Sequence, residues 1–365
     1  MDLSNVCWSA RIPPLGAGIP RLARLDAVQD AWRRRFGPGA PLTVIADRSL
    51  RHQIGRAERP RFDALLGSGA MTLAPTADPE LLRLARDRQW YVVSGDQFLD
   101  LRRDHPWIAG AADRFLGWDL RGGRLVLRPS GIREVPEQQI SRAVEAKSLK
   151  WPHRIDVRDP AHLRVLRSHW RCSGPRCLRA LLWPDHLLDW PTLTAQGAVL
   201  CPACNSALTE AGPRGAVRSL VVSDAASGTE LVRFPLCQDT PVLLGRGRLA
   251  HGINLEAPEL RQSPAIGRVS RRHLMLNLTA APGGPRITAV DLGSGNGTVV
   301  ERGEPGAVPR ALEPGGEVVL GDRDALRLGD AVTVRVSGRR WFADEDLALP
   351  VLAQTDGAQP TRLVT

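Results

Sequence analysis

The sequence contains no run of about 18 apolar residues, the length a helix needs to cross a bilayer. Nor do its first ten residues carry the charged-then-apolar leader of an exported chain. Both absences lead us to expect a cytoplasmic protein with no membrane partner. Aromatic residues are few, 5% of the chain with Tyr91 as the single tyrosine, and no internal repeat is found, so the chain is read as distinct domains. Cysteine is sparse as well: Cys7, Cys172, Cys177, Cys201, Cys204 and Cys237 make up the whole set. In a cytoplasmic chain, cysteines arranged in close pairs bind zinc more often than they form disulfides.

What is present is a soluble, globular balance of 43% hydrophobic and 24% charged residues, with 365 residues to divide among two or three cores. The net charge of +10 comes from arginine-rich stretches at 33–35, 48–61 and 83–88, and a basic surface favours a polyanionic partner such as nucleic acid. Abundant Arg, Ala, Gly and Pro beside one Tyr also fit the codon bias of a GC-rich genome, which weakens that signal.

Along residues 1–129, short apolar runs alternate with amphipathic helical patterns. Helices are expected at 23–36, 62–66, 79–89 and from 97 toward 103, and strands at 42–46, 70–74, 90–94 and 124–127. Such alternation predicts an α/β domain with a parallel sheet and helices on both faces. Residues 130–165 turn polar and read as a linker with one helix at 137–146. Residues 166–212 hold the two cysteine pairs, residues 213–345 carry the β-rich, turn-punctuated texture of an all-β sandwich, and residues 346–365 are expected to be a flexible tail.

Three islands stand out in the β-rich part: Leu243-Leu244-Gly245-Arg246-Gly247, Val269-Ser270-Arg271-Arg272-His273-Leu274, and Asp291-Leu292-Gly293-Ser294-Gly295-Asn296-Gly297-Thr298. In order and spacing they resemble the forkhead-associated (FHA) phosphothreonine-binding domains, over about residues 215–343. A phosphothreonine carries nearly two negative charges and three acceptor oxygens and needs a fixed fork of donors. The resemblance implies that Arg246 supplies the fork, that Ser270 adds a hydroxyl beside Arg271, and that Asn296 fixes the peptide backbone. It also implies that His273 braces the loops from inside without touching phosphate. The partner would be a threonine-phosphorylated protein, a Ser/Thr kinase or its substrate. The bland alternative is a sandwich that kept its turns and lost its ligand. Gly297 serves its turn either way, whereas no comparable folding role is expected for Arg246, Ser270 and Asn296.

Four residues separate Cys172 from Cys177, two separate Cys201 from Cys204, and 23 lie between the pairs. Two such pairs can close a tetrahedral thiolate site, and the pattern resembles a zinc ribbon binding Zn²⁺, with His169 as a substitute ligand in a less simple scheme. The zinc would fold a core too small to hold itself together. Alternatively, Trp170, Arg171 and Arg176 would use the knuckle to touch nucleic acid. Cys7 and Cys237 are expected to be buried small apolar residues.

In the first domain, the stretch 90–101 predicts a buried strand that delivers Asp96 at its C-terminal edge, with Asp100 one turn later. Ligands of open α/β sheets sit beyond such edges. Asp2 and Asp78 are expected to converge there, and Asp47 is either a further member or a turn residue. Clustered carboxylates repel unless a divalent cation neutralises them, which predicts Mg²⁺ or Mn²⁺. Over about residues 1–129 the pattern resembles the NYN/PIN-like ribonucleases of the Regnase type. The resemblance implies that Asp2, Asn5, Asp78, Asp96 and Asp100 hold the metal and orient a water for attack on an RNA phosphodiester. The chain departs from that family at Gly95, where Asn is common, and at Leu3, where Gly is common. Asp2 also follows directly on Met1, so either a first strand is missing or the start lies upstream. The alternative for these acids is ordinary helix-terminus chemistry, with Asp78 as an N-cap and Asp96 and Asp100 in a first turn.

The sequence thus predicts a metal-dependent, endoribonuclease-like hydrolase directed to a phosphorylated partner through an FHA module. The competing reading is a catalytically inactive phosphothreonine adaptor on a PIN-like scaffold. A nuclease acting on DNA is a third.

Overall fold

Residues 1–258, 260, 263–282 and 284–341 are described by a computed structural model, in which the chain divides into two compact units meeting at Pro136/Glu137. Residues 346–365, expected to be a tail, lie outside the described residues.

In the first unit, strand Val44–Asp47 pairs in parallel with Met71–Ala74. Val92–Val93 pairs in parallel with Phe115–Arg121, which turns back antiparallel into Arg124–Pro129. Met1 and Asp2 join these two sheets: Ile45 N donates to Met1 O at 3.0 Å, Asp2 N donates to Val93 O at 3.0 Å, and Asp2 bridges Ile45 in parallel. Met1 and Asp2 thus run as a short extended segment between Val44–Asp47 and Val92–Val93. Helices Arg24–Phe36, Arg59–Gly67 and Ala77–Arg88 form where their apolar positions recur at helical spacing, burying Leu25, Val28 and Trp32, or Leu81, Leu82 and Ala85.

Two expectations are corrected here. The helix expected from 97 toward 103 is only a 3₁₀ turn, Leu99–Leu101, because Asp96 folds back to accept from Phe98 N at 2.7 Å. Strand Phe115–Arg121 was not anticipated. Gly117 interrupts its apolar pattern and sits against Ser130, to which an added Cβ would come within 3.5 Å.

In the second unit a six-stranded and a five-stranded sheet face each other. The first runs in the order Glu230–Cys237, Val217–Asp224, Val332–Trp341, Ala325–Leu328, Thr298–Glu301, Arg310–Leu312. The second runs Gly252–Asn254, Val242–Gly245, Leu274–Thr279, Arg286–Asp291, Glu317–Leu320. Alternation drives the packing: Leu274, Leu276 and Leu278 point inward from one strand and meet Leu220, Phe234 and Val334 from the opposite sheet. Each such side chain contributes roughly 1.5–3 kcal/mol by leaving water.

The segment read as a linker is structured. Helix Glu137–Lys150, a turn longer than expected, belongs to the second unit and buries Glu145 against the sandwich. That carboxylate accepts from Ser337 Oγ at 2.9 Å, from Trp341 Nε1 at 2.7 Å and from Ser219 Oγ. The cysteine region contributes the antiparallel pair Ser168–Cys172 and Leu208–Pro213, the short pair Thr192–Leu193 and Val199–Leu200, and helix Leu178–Leu182.

Candidate functional site

The loops at one end of the sandwich bring the three islands together. Strand Val242–Gly245 ends on Arg246, whose backbone N–H donates to Ser270 O at 3.2 Å, and Gly247 N donates to Arg271 O at 3.0 Å. Gly245 allows this approach, since a Cβ there would lie 2.3 Å from Arg271 O. Arg246 Nε donates to Val269 O at 2.9 Å, which ties the half-buried guanidinium to that loop, with one terminal nitrogen 3.8 Å from Glu256. Ser270 Oγ accepts from Gly295 N at 2.9 Å, and Asn296 Nδ2 donates to Arg268 O at 2.8 Å. Arg246, Ser270 and Asn296 were expected to have no folding role; each in fact ties one loop to another while staying accessible, with Asn296 and Arg271 exposed.

Beneath them His273 is fully buried. Its Nδ1 accepts from Ser270 N at 3.0 Å, and Nε2 faces Gly297 O at 3.2 Å. Asp291, also buried, accepts from Ser294 N at 2.8 Å and Thr298 Oγ1 at 2.6 Å, holding the turn that presents Asn296. These hydrogen bonds keep the Asp291 carboxyl below its ordinary range against the opposing effect of burial.

In the first unit the acids expected to converge do share one electrostatic neighbourhood. Asp2 is buried at the edge between Val44–Asp47 and Val92–Val93; it accepts from Asn5 N at 3.0 Å and Ser94 Oγ at 3.1 Å. Burial, reinforced by the charges of Asp47 and Asp96, pushes its carboxyl up to about 7. Asp78 is raised well above the carboxylate range, first by burial and then by Asp2, Asp96, Asp100 and Asp47. Asp78 is not an N-cap, since Thr76 occupies that position and Asp78 stands in the first turn of Ala77–Arg88. The cap function falls to Asp47, whose Oδ1 accepts from Ala77 N at 2.6 Å. Asn5 Oδ1 accepts from Gly95 N at 2.7 Å, so closely that a Cβ on Gly95 would meet Asn5 Oδ1 at 3.0 Å and Trp118 at 3.1 Å.

Sequence reasoning left the role of Asp47 open and missed Ser94. The position of each at the C-terminal end of a strand was the available signal. Of these acids Asp2 and Asp78 are the two whose carboxyls are raised, each by burial and by the charges of its neighbours.

In the cysteine region the Sγ atoms of Cys172, Cys177, Cys201 and Cys204 all lie within 4.8 Å of one another. Cys172 and Cys204 are 3.5 Å apart and Cys177 and Cys201 3.8 Å. A tetrahedral zinc with Zn–S of about 2.3 Å would set its sulfurs roughly 3.8 Å apart, so the donors fit. His169 packs instead on the ring of His186 at 4.1 Å. Trp170 Nε1 donates to Val165 O at 2.9 Å and Arg171 Nε to Asp185 O at 3.1 Å, so both side chains brace the knuckle.

A family model described as "FHA domain" matches residues 243–329, and the chain carries an FHA domain there. Several solved FHA domains are similar to part of the chain. That of an Arabidopsis thaliana hypothetical protein is 21% identical, over 34% of this chain and 86% of that one, with a TM-score of 0.24. The MEK1 FHA domain in complex with a HOP1 phosphothreonine peptide is 15% identical, over 32% and 95%, with a TM-score of 0.22. The yeast Dun1 FHA domain, in complex with a doubly phosphorylated peptide derived from Rad53, is 16% identical, over 38% and 88%, with a TM-score of 0.25. No curated protein matches the chain.

Proposed function

We propose that this protein binds a threonine-phosphorylated segment of a partner protein through Arg246, Ser270, Arg271 and Asn296, and that its first unit is a divalent-cation-dependent endoribonuclease directed by that binding. The observation that carries the first part is the half-buried guanidinium of Arg246, anchored through Nε to Val269 O on a loop whose backbone pairs with that of Ser270. A planar fork and a hydroxyl suit a phosphate dianion, and the neighbouring Glu256 is displaced as the pair to Arg246 when phosphate enters.

The nuclease part rests on the five acids at the sheet edge. Asp2, Asp78, Asp96 and Asp100 would hold Mg²⁺ or Mn²⁺, which supplies Lewis-acid activation of water and of the phosphodiester. Asn5 and Asp47 position the strand ends through Gly95 N and Ala77 N. Zinc at the four cysteines would be structural.

Two measurements test this. Binding of phosphothreonine peptides to the full chain should be lost in Arg246→Ala and absent for unphosphorylated peptides. Labelled single-stranded RNA should be cleaved with Mn²⁺ by the wild type and not by Asp96→Asn. Phosphopeptide binding without cleavage in either protein would leave a phosphothreonine adaptor, and cleavage of DNA in preference to RNA would change the substrate.

A further inference from the structure

We infer that the buried guanidinium of Arg214 holds a small oxyanion, of the phosphate class, where the cysteine region leads into the sandwich. This goes beyond the phosphothreonine and nuclease readings and depends on neither.

Arg214 follows directly on strand Leu208–Pro213 and is 4% exposed. Its backbone N–H donates to Arg167 O at 2.6 Å, which continues the pairing of that strand with Ser168–Cys172. The side chain is held differently. Its Nε and both terminal nitrogens are buried, and none of the three finds an acceptor among the described residues. The guanidinium carbon stands over the Trp190 ring, 4.6 Å from its centre, a contact that offsets part of the charge and satisfies none of the N–H donors.

A guanidinium keeps its charge in a protein, and a buried charge without a partner is strongly unfavourable. The protein groups around Arg214 do not neutralise it. Asp189 acts on it but is paired with Arg179 at 3.0 Å. Asp185, near His186, is exposed. The Cys237 thiol beside Arg214 is pushed up by burial and stays neutral.

Further donors converge on the same place. His169 stands opposite Gly212 in the strand pair, and Gly212 has no side chain, so His169 and Arg214 are diagonal neighbours on one face. His169 Nδ1 is also buried without a partner, and the ring packs on that of His186 at 4.1 Å. His186 Nε2 in turn lies 3.4 Å from Thr240 Oγ1 of the sandwich. The pKa of each ring is lowered, that of His169 to about 4, first by burial and then by the charge of Arg214. Arg171 and His251 add positive potential at His186.

A guanidinium fork beside an imidazole N–H is a donor set that oxyanions take. The burial of Arg214 selects the size of the ligand. A phosphorylated peptide or a nucleic acid strand cannot bring its backbone to a side chain that is 4% exposed, whereas a free ion needs only a movement of the half-buried His169 or His186. Bound there, the ion would tie Trp190 and the histidine pair to Arg214 and Thr240, joining the cysteine region to the sandwich.

The test uses the full chain carrying Arg246→Ala, so that the phosphothreonine loops contribute no affinity for phosphate. Inorganic phosphate is titrated at fixed pH and ionic strength while the ring resonances of His169 and His186 and the thermal midpoint of the second unit are followed. Both rings should shift saturably, and the midpoint should rise with phosphate. Adding Arg214→Met keeps an apolar side chain against Trp190 and removes the charge; it should abolish the ring shifts and weaken phosphate binding about ten-fold or more. If Arg214→Met fails to fold, the Arg246→Ala chain decides alone: saturable shifts of both rings support the site, and their absence overturns it, leaving the guanidinium to water. A response that does not saturate, or that is equal with and without Arg214→Met, would be a general salt effect and would overturn the inference as well.

Discussion

The backbone N–H of Ser270 donates to Nδ1 of His273 at 3.0 Å, while the far side of the same ring faces Gly297 O at 3.2 Å. Because Nδ1 accepts, the proton sits on Nε2 and the ring is neutral. One buried imidazole therefore joins the loop that presents Ser270 to the turn that presents Asn296.

Acid should loosen this joint. Burial lowers the His273 pKa below its ordinary value, more than Asp291 at 4.0 Å raises it. The unfolded chain takes up a proton near pH 6.5 where the native ring does not, so the stabilisation is complete above that value and declines as pH falls below it. His153, His169 and His186 are lowered by burial too, so the informative quantity is a difference. We expect the thermal midpoint of the second unit to fall more steeply between pH 7 and pH 5 in the wild type than in His273→Gln. Equal slopes would remove His273 as the acid-sensitive joint.

Glu145 should prove to be a fixed part of the sandwich. Replacing it with Ala removes both carboxylate oxygens and takes the acceptor from three buried donors at once, on Ser219, Ser337 and Trp341. Each unsatisfied buried group costs about 1–3 kcal/mol, so a loss of several kcal/mol in the denaturant-unfolding free energy of the second unit is expected. A change under about 1 kcal/mol would mean that water reaches these groups.

This helix also shows where the sequence stops being readable. Glu145 looks like an ordinary member of a polar helical face, and its partners lie 74 to 196 residues away in sequence. The FHA loops were legible because their information is local: glycines that permit close approach or positive φ, set beside Arg246, Ser270 and Asn296. In the first unit the strands ending on Asp47 and at Val93, three residues before Asp96, could be read from short apolar runs. The bond from Ala77 N to Asp47 could not, since it depends on which strands become neighbours. The helix expected after Asp96 failed for a local reason, the competition of its carboxylate for Phe98 N.

The acids of the first unit should couple its stability to pH and to divalent cations. Asp2 has its pKa raised from 3.8 to about 7, so its contribution is complete below about pH 4 and is lost as pH rises through 7. With EDTA present, the melting temperature of this unit should fall between pH 5 and pH 8. Mg²⁺ or Mn²⁺ should raise it most at the alkaline end, where the carboxylates are ionised. Asp2→Asn should flatten the pH dependence and weaken the response to metal. An identical metal response in wild type and Asp2→Asn would exclude Asp2 as a ligand.

Zinc removal should be felt beyond the cysteine region. The four sulfurs lie within 4.8 Å of one another, and the surrounding apolar cluster is small, with Leu187 as its buried member besides the cysteines. With zinc bound at these sulfurs, metal-binding free energy would become folding free energy for so small a core. The same region supplies Trp183 and Leu188 to the core of the sandwich, so loosening it withdraws two large buried side chains from the FHA unit. Elemental analysis should find one zinc per chain. Cys201→Ser should abolish it and lower the melting temperature of the second unit by several degrees, with the resonances or exchange protection around His251 lost first. Full zinc occupancy in Cys201→Ser, or a zinc-free wild type that melts unchanged, would show that the thiols pack without a metal.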